Sequence, residues 1–360
     1  MPERAILSVL DAARWTPSGD NTQVWRFELI DDESCVIHGF DTREHSIYDV
    51  DGHPSHIALG ALLETIAIAA SSLQRRAEFL LRPHSGERAP LIDVRLRADA
   101  ALARDPLVDV IERRCVQRRA LQTRLLTRQE KNSLEQAAGL YRVIWLEGLA
   151  TKLQLAGLLF RNAGIRLTMP EAYAVHRAII EWRAKYSYDR IPDQALGLDP
   201  LTTRLMEWVM QSWARVNFFN RYLGGTIAPR LQLDLIPALA CGAHFILVAG
   251  APPRAIDDYL SAGRALQRFW LTATHLGLQL QPEQTPLIFA QYVSMGRHFS
   301  QTPGLWEKAC EVTRQLDQLI GLETRQKAVF MGRIGAGKAA AARSLRRPLK
   351  ELLISSAQGD

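Results

Sequence analysis

The chain is poor in cysteine. Its four cysteines, Cys35, Cys115, Cys241 and Cys310, stand far apart in 360 residues, and none makes a C-x-x-C or Cys/His pair at metal-ligand spacing. That excludes a zinc ribbon, an iron–sulfur motif and a disulfide framework, and free thiols point to a reducing cytoplasm. Long apolar runs are also lacking. No stretch reaches the ~18–20 residues of a membrane span, and the two longest, 57–70 and 235–250, are broken by polar residues or proline. Met1-Pro2-Glu3-Arg4 leads directly into a helical pattern, so no signal peptide is expected. Excess charge of one sign is modest: 44 Lys+Arg against 38 Asp+Glu give a formal net charge of +6. A nucleic-acid surface would spread such an excess as a stripe with interleaved aromatics. Here much of it gathers at 113–119 and 343–347, two clusters that can converge on one phosphate. His38, His45, His53 and His56 are irregularly spaced around Gly39, Gly52 and Pro54, the pattern of loop histidines and not of a metal site.

What is present is a globular composition, 47% apolar and 23% charged, long enough for one large domain or two smaller ones. The most informative segment is 15–27, where Ser18, Gly19, Asp20, Asn21, Thr22 and Gln23 lie between Trp15 and Trp25. A structural loop needs one or two turn formers, not six small or amide residues flanked by large aromatics. Such a loop offers many donors and acceptors to a planar ligand with polar edges. Near the C-terminus, Met331-Gly332-Arg333-Ile334-Gly335 precedes Arg343-Ser344-Leu345-Arg346-Arg347-Pro348-Leu349-Lys350-Glu351. A third element is Ile111-Glu112-Arg113-Arg114-Cys115-Val116-Gln117-Arg118-Arg119. Arginine is suited to phosphate because its planar, permanent charge meets two oxygens at once. The frame Gly332–Lys338 also matches G-x-x-x-x-G-K, but Ala339 stands where a P-loop needs Ser or Thr, and only 22 residues follow Lys338. ATP binding is not expected there.

These three segments together resemble the nitroreductase superfamily. The first is similar to its signature A-x-x-A-P-S-G-x-N-x-Q-P-W-R-F, whose Ser, Asn and Gln line the isoalloxazine of FMN. The second is similar to the pattern "xxRIG" followed by "RRPLEE". The third is similar to R-R-S-x-R, with Cys115 or Val116 where the family carries Ser. The resemblance implies an FMN-binding α+β fold, with a mixed or antiparallel sheet sandwiched by helices. It implies that Ser18, Gly19, Asn21 and Gln23 contact the flavin ring, and that Arg114, Arg118, Arg346 and Arg347 hold the phosphate and ribityl chain. The family's backbone N–H to flavin N5 falls on the loop Pro282-Glu283-Gln284-Thr285, making Gln284 and Thr285 the catalytic candidates. Asp20 sits where many relatives carry Gly or Thr, and an inward carboxylate there would oppose anionic reduced flavin.

A faint internal repeat accompanies the motifs. Gly60-Ala61-Leu62-Leu63-Glu64 through Ala70 aligns with Gly263-Arg264-Ala265-Leu266-Gln267 through Ala273, each a glycine followed by apolar residues at helical spacing. Residues 1–104 carry the Ser18–Gln23 loop but no arginine clamp. Residues 105–360 carry the clamp, but Gly139-Leu140-Tyr141-Arg142 replaces any S-G-x-N-x-Q loop. Ordinary nitroreductases are homodimers in which one subunit gives the arginines and the other the loop. The expectation is therefore a fused pseudo-dimer with an internal pseudo-two-fold and a single flavin site between its halves. Long single-chain homologues of this kind occur beside ubiquitin-activating-like adenylyltransferases, or carry a molybdopterin-synthesis label, so such an adenylyltransferase is an expected partner.

Helices are expected over 4–14, 56–73, 128–138, 150–163, 255–276 and 302–322, and strands near 26–30, 79–82, 92–97, 143–147, 245–249 and 328–334. An insertion at about 165–230 is rich in Trp, Tyr and Arg. It is read either as a lid, with Tyr186, Tyr188 and Trp213 over the ligand, or as a helical hairpin burying its aromatics in its own core. Functionally the resemblance implies a cytoplasmic FMN-dependent oxidoreductase, monomeric or homodimeric. It would act on a small molecule with NAD(P)H or a biosynthetic intermediate as partner, and needs no metal, nucleic acid or membrane. The alternatives are a flavin destructase-like enzyme that consumes reduced FMN and a non-catalytic FMN-sequestering protein.

Overall fold

Two long helices, His53–Ser71 and Ile256–His275, cross at the centre of the computed structural model, which describes residues 5–354. Their contact is set by glycine. A Cβ built on Gly60 would lie 2.0 Å from the carbonyl oxygen of Leu260, and one built on Gly263 would lie 2.0 Å from the carbonyl oxygen of Ile57. Backbone meets backbone, a distance only a residue without a side chain allows. The two contacts are reciprocal: Gly60 is to Leu260 as Gly263 is to Ile57 in the aligned repeat. The polar pairs beside them repeat the relation. Gln267 Nε2 donates to Thr65 Oγ1 at 2.9 Å, and Arg268 Nε donates to Glu64 Oε1 at 2.6 Å.

Each central helix carries its own sheet. The first has strand order Leu353–Ile354, Trp25–Leu29, Ser34–Gly39, Leu91–Ala98, Arg75–Leu81. It is antiparallel except at one edge, where Leu353–Ile354 runs parallel to Trp25–Leu29 with Phe27 opposite Leu353. With His53–Ser71 and Ala5–Ala13 it encloses a core that includes Ile6, Leu10, Phe27, Leu62 and Ile66, completed by Leu352 from the C-terminal segment. The second sheet, Leu278–Pro282, Ala328–Ala336, Ala243–Val248, Arg142–Leu146, is wholly antiparallel. Ala243–Val248 is buried at every position, because Ile256–His275 covers one face and Leu149–Arg166, Thr285–Ser294 and Leu305–Ile320 cover the other.

The α+β class is as expected, but the sheet is not one layer. The two central helices sit between the halves, so each half closes its own ladder of backbone hydrogen bonds. The expected helices and strands are all present with ends shifted by a few residues; Arg4, the expected first helical residue, lies outside the described residues. Ser34–Gly39, Leu278–Pro282 and Thr285–Ser294 were not expected. Among the described residues, one helical stretch, Val50–Ser71, is long and apolar enough to span a bilayer, and 89% of its apolar window is buried inside the protein, as in a core helix.

The insertion contributes the helices Pro170–Ile179, Pro200–Val209 and Trp213–Tyr222. Asp199 caps the second by accepting from Leu201 N and Thr202 N, and Ser212 caps the third. Its aromatics pack largely on one another: Tyr173 on Trp213 at 5.5 Å, and Trp208 edge-on to Phe219 at 5.7 Å. Between the first two helices the chain makes a short strand, Tyr186–Ser187, parallel to Arg343–Ser344.

Candidate functional site

The polar loop 18–23 is strained. Asp20, Asn21 and Gln23 have φ of 51°, 62° and 52°, the left-handed region that non-glycine residues rarely enter. What holds it there is a set of long-range bonds. Asn21 Nδ2 reaches the carbonyls of Tyr188 at 3.3 Å, Arg190 at 3.2 Å and Leu345 at 3.2 Å. Gln23 Nε2 donates to Tyr188 O at 2.9 Å, while its Oε1 accepts from Arg347 N at 2.9 Å. Ser18 Oγ accepts from Gln23 N at 2.9 Å. The loop therefore clasps the insertion tip and the C-terminal basic segment together. Gly19 is exposed, and a Cβ there would meet nothing within 4 Å, so it forms no cradle.

Beneath this clasp lies a cluster of arginines. Arg114 and Arg346 are buried, at 2% and 5% exposure. Arg114 Nη2 donates to Trp15 O at 3.0 Å, and its guanidinium lies 4.8 Å from the Trp270 ring centroid. Arg346 Nε donates to Thr16 O at 2.8 Å. Arg343 stacks on Trp15 at 5.2 Å and donates to Arg114 O at 3.3 Å. Among the described residues no carboxylate pairs with Arg114, Arg343 or Arg346, and the Nε atoms of Arg114 and Arg343 have no acceptor. Burial, opposed by Cys115 and reinforced by Arg343, pushes the Arg114 guanidinium down to about 10. Burial first, then Arg114 and Arg343, push Arg346 well below the usual arginine range. Guanidinium groups stay charged in proteins, so these shifts mean that three cations are held together at a cost. A phosphate with several oxygens is the chemistry this donor set lacks.

The expected phosphate residues thus separate. Arg114 and Arg346 join the cluster. Arg347 does not: its guanidinium pairs with Asp189 at 2.7 Å, and Arg343 takes its place. Arg118 turns away to Ala195 O at 3.2 Å and faces Asp20. Burial raises the half-buried Asp20 carboxyl to about 6, against the pull of Arg118 and with a further push from Asp49.

The catalytic candidates have structural duties. Gln284 donates to Val329 O at 3.1 Å and accepts from Met331 N at 3.0 Å, tying off the end of a strand. Thr285 Oγ1 accepts from Asn162 at 2.7 Å. The first N–H groups of the helix Thr285–Ser294 have no intrahelical partner, so the backbone there keeps a free donor role. Just before it, Glu283 joins a buried network: His244 Nδ1 at 2.6 Å and Arg333 Nη1 at 3.0 Å, with Arg333 Nη2 donating to Arg118 O at 2.7 Å. Burial alone would lower the His244 pKa; Glu283, aided by Cys241, raises it to about 10. Burial would raise Glu283, but His244 and Arg333 bring it below the ordinary glutamate value. Glu283 and Arg333 thus tie the 282–285 loop to the backbone of Arg118, whose guanidinium feels the charge of Asp20 on the polar loop.

The lid candidates are divided. The side chains of Tyr186 and Tyr188 point outward, about half exposed, while Trp213 packs on Tyr173. It is the backbone of the tip, not its tyrosines, that covers the polar loop. Sequence reading passed over Asp49, whose buried carboxylate accepts from Thr42 and Ser55 and fixes the chain entering the first central helix. It also passed over Tyr48, whose hydroxyl lies 3.0 Å from His176 Nε2 on the insertion. Neither carries a local motif.

No family model matches the chain, and no curated protein matches it in sequence. Among solved structures it is similar to a nitroreductase-like family protein from Bacillus cereus, at 13% identity and a TM-score of 0.36, over 71% of this chain and 97% of that one. It is also similar to a candidate nitroreductase from Anabaena variabilis, at 11% identity and a TM-score of 0.33, over 85% of this chain and 69% of that one. Likeness at this level decides neither fold nor function.

Proposed function

We propose that this chain is an FMN-dependent oxidoreductase of the nitroreductase type that binds one flavin between two pseudo-symmetric halves. The observation that carries the reading is the cluster of buried Arg114 and Arg346 with partly buried Arg343, which has no counter-ion among the described residues, beside a strained amide-rich loop. A bound FMN would place its phosphate on these arginines. When bound, the flavin supplies hydride exchange at N5 with NAD(P)H or a biosynthetic intermediate. The protein's part is to bind the phosphate, to present a backbone N–H near Thr285, and to exclude water with the insertion tip. The reciprocal contacts of Gly60 and Gly263 support the pseudo-two-fold.

One observation favours a second reading. Asn21 and Gln23 already spend their amide donors on the backbone of the insertion tip. That closed arrangement suits a protein that sequesters FMN under the tip without turnover. Heat-released flavin should come to about one per chain; two per chain, or none in protein folded in the presence of FMN, would overturn the proposal. Anaerobic bleaching of the yellow protein by NADH or NADPH, with full recovery of FMN in air, marks the oxidoreductase. Failure to bleach marks the sequestering protein, and loss of flavin on re-oxidation marks a destructase-like enzyme.

A further inference from the structure

A basic hollow lies between the insertion and the segments 117–119 and 340–342, with a volume of about 950 Å³. That is the size of a small-molecule site, roughly 300–1,000 Å³. It shares no lining residue with the Arg114–Arg343–Arg346 cluster. Four cations line it, Arg119, Arg183, Lys185 and Arg204, with Trp208 among them. Three carboxylates line it too, and each is engaged. Asp193 accepts from Arg183 N at 2.9 Å and Ala184 N at 3.0 Å. Asp199 caps its helix and accepts from Gln232. Glu207 pairs with Arg183 at 3.0 Å. The other three cations have no carboxylate among the described residues. The Arg119 guanidinium donates to Gln194 O at 3.3 Å, Lys185 rests 5.4 Å from the Tyr186 ring, and the Arg204 guanidinium has no partner among the described residues. Trp208 as a residue is 47% exposed; its ring centroid lies 4.6 Å from the Arg215 guanidinium and 5.7 Å from the Phe219 ring, so the rest of the indole is what faces the hollow. Cations on an open surface are ordinary; three without a carboxylate partner among the described residues, around one concavity that also holds a half-exposed tryptophan, are a recognition pattern.

We infer that this hollow binds an organophosphate with a planar or apolar body, its charged end on Arg119, Lys185 and Arg204 and its body toward Trp208. The inference does not depend on the flavin reading. The test is calorimetric titration of the full chain with ADP, pyrophosphate and adenosine, repeated on R119A/R204A and on R343Q. ADP and pyrophosphate should bind, adenosine should not, and ADP affinity should fall roughly tenfold or more in R119A/R204A through lost charge-assisted contacts while R343Q stays near wild type. Silence with both anions overturns the site. So does a loss in R343Q as large as that in R119A/R204A, because the anion would then be on the other cluster. Pyrophosphate binding with ADP rejected overturns the organophosphate assignment. R119A/R204A alters exposed positions and R343Q a partly buried one, and circular dichroism checks that both fold.

Discussion

The carbonyl oxygen of Leu260 occupies the space where Gly60 would carry a side chain, 2.0 Å from an ideal Cβ. Neither atom can move without displacing a central helix, so Gly60→Ala must separate the two halves. The expected loss is at or beyond the upper end of the ~1–3 kcal/mol typical of overpacking. Urea unfolding of Gly60→Ala against Gly86→Ala, where a Cβ meets nothing within 4 Å, measures it. Equal stability of the two variants would refute the close crossing.

The arginine cluster makes a prediction with opposite signs. Arg343 lies near two buried cations and leaves its Nε without an acceptor. Without ligand, Arg343→Gln should leave stability unchanged or raise it, because like-charge repulsion is relieved. In the presence of FMN the order should reverse. Wild type gains about 2.7 kcal/mol at a hundredfold excess over Kd, and the variant gains much less. Thermal unfolding with and without FMN reads both signs, and a variant stabilised by FMN as fully as wild type would show the cluster to be idle.

The His244–Glu283 pair predicts how stability changes with pH. The folded-state pKa of His244 is raised from 6.5 to about 10, so its contribution is complete below pH 6.5 and is lost as pH rises toward 10. Glu283 has a lowered pKa, so its contribution is present above 4.5 and fades on acidification. Stability should therefore be greatest between roughly pH 5 and 6.5 and decline on the alkaline side. Unfolding midpoints at pH 6, 8 and 9.5 test this, and a flat profile, or a Glu283→Gln variant with an unchanged slope, would refute it.

Asn21 is predicted to hold the insertion shut. Its single amide nitrogen serves three carbonyls, two on the tip and one on the C-terminal segment. Asn21→Ala removes this donor, while Gln23 still serves Tyr188 O, Ser344 serves Arg190 O and Arg346 serves Leu345 O, so the local cost is about 0.5–1.5 kcal/mol. Trypsin should then cut at Lys185 or Arg190 several times faster than in wild type, with the rest of the chain equally resistant. Unchanged cleavage would mean that the tip is held without Asn21, by Gln23, the Arg347–Asp189 pair and its strand pairing.

Much of this architecture is legible in the residues. The central helices declare themselves by a glycine followed by small and apolar residues, and the strand Ala328–Ala336 by its unbroken apolar start. Ser34–Gly39 is hidden because Asp31, Asp32 and Glu33 mark a turn that masks the strand after it. Thr285–Ser294 is hidden because a helix buried nearly all round shows no polar face. At the site, Arg114 and Arg346 are readable from their motifs, since clustered arginine means phosphate in many contexts. That Arg343 and not Arg347 faces inward depends on the pairing of Arg343–Ser344 with the insertion, a contact across 157 residues that no local pattern encodes. Asn21 and Gln23 were recognisable as special by composition. Their protein partners were not, because hydrogen-bond geometry between distant backbones leaves no trace in spacing.

The parallel pairing of Leu353–Ile354 with Trp25–Leu29 bears on the order in which the molecule can be assembled. During synthesis the first sheet emerges early, yet its outer edge stays open until the last described residues leave the ribosome. Contacts this distant along the chain form late, after most of the loop-closure entropy has been lost. The same closing segment carries Arg343 and Arg346. A phosphate that bridges them to Arg114 would then act as a latch, holding the newly closed edge against reopening and marking, by its capture, that synthesis has run through to that strand.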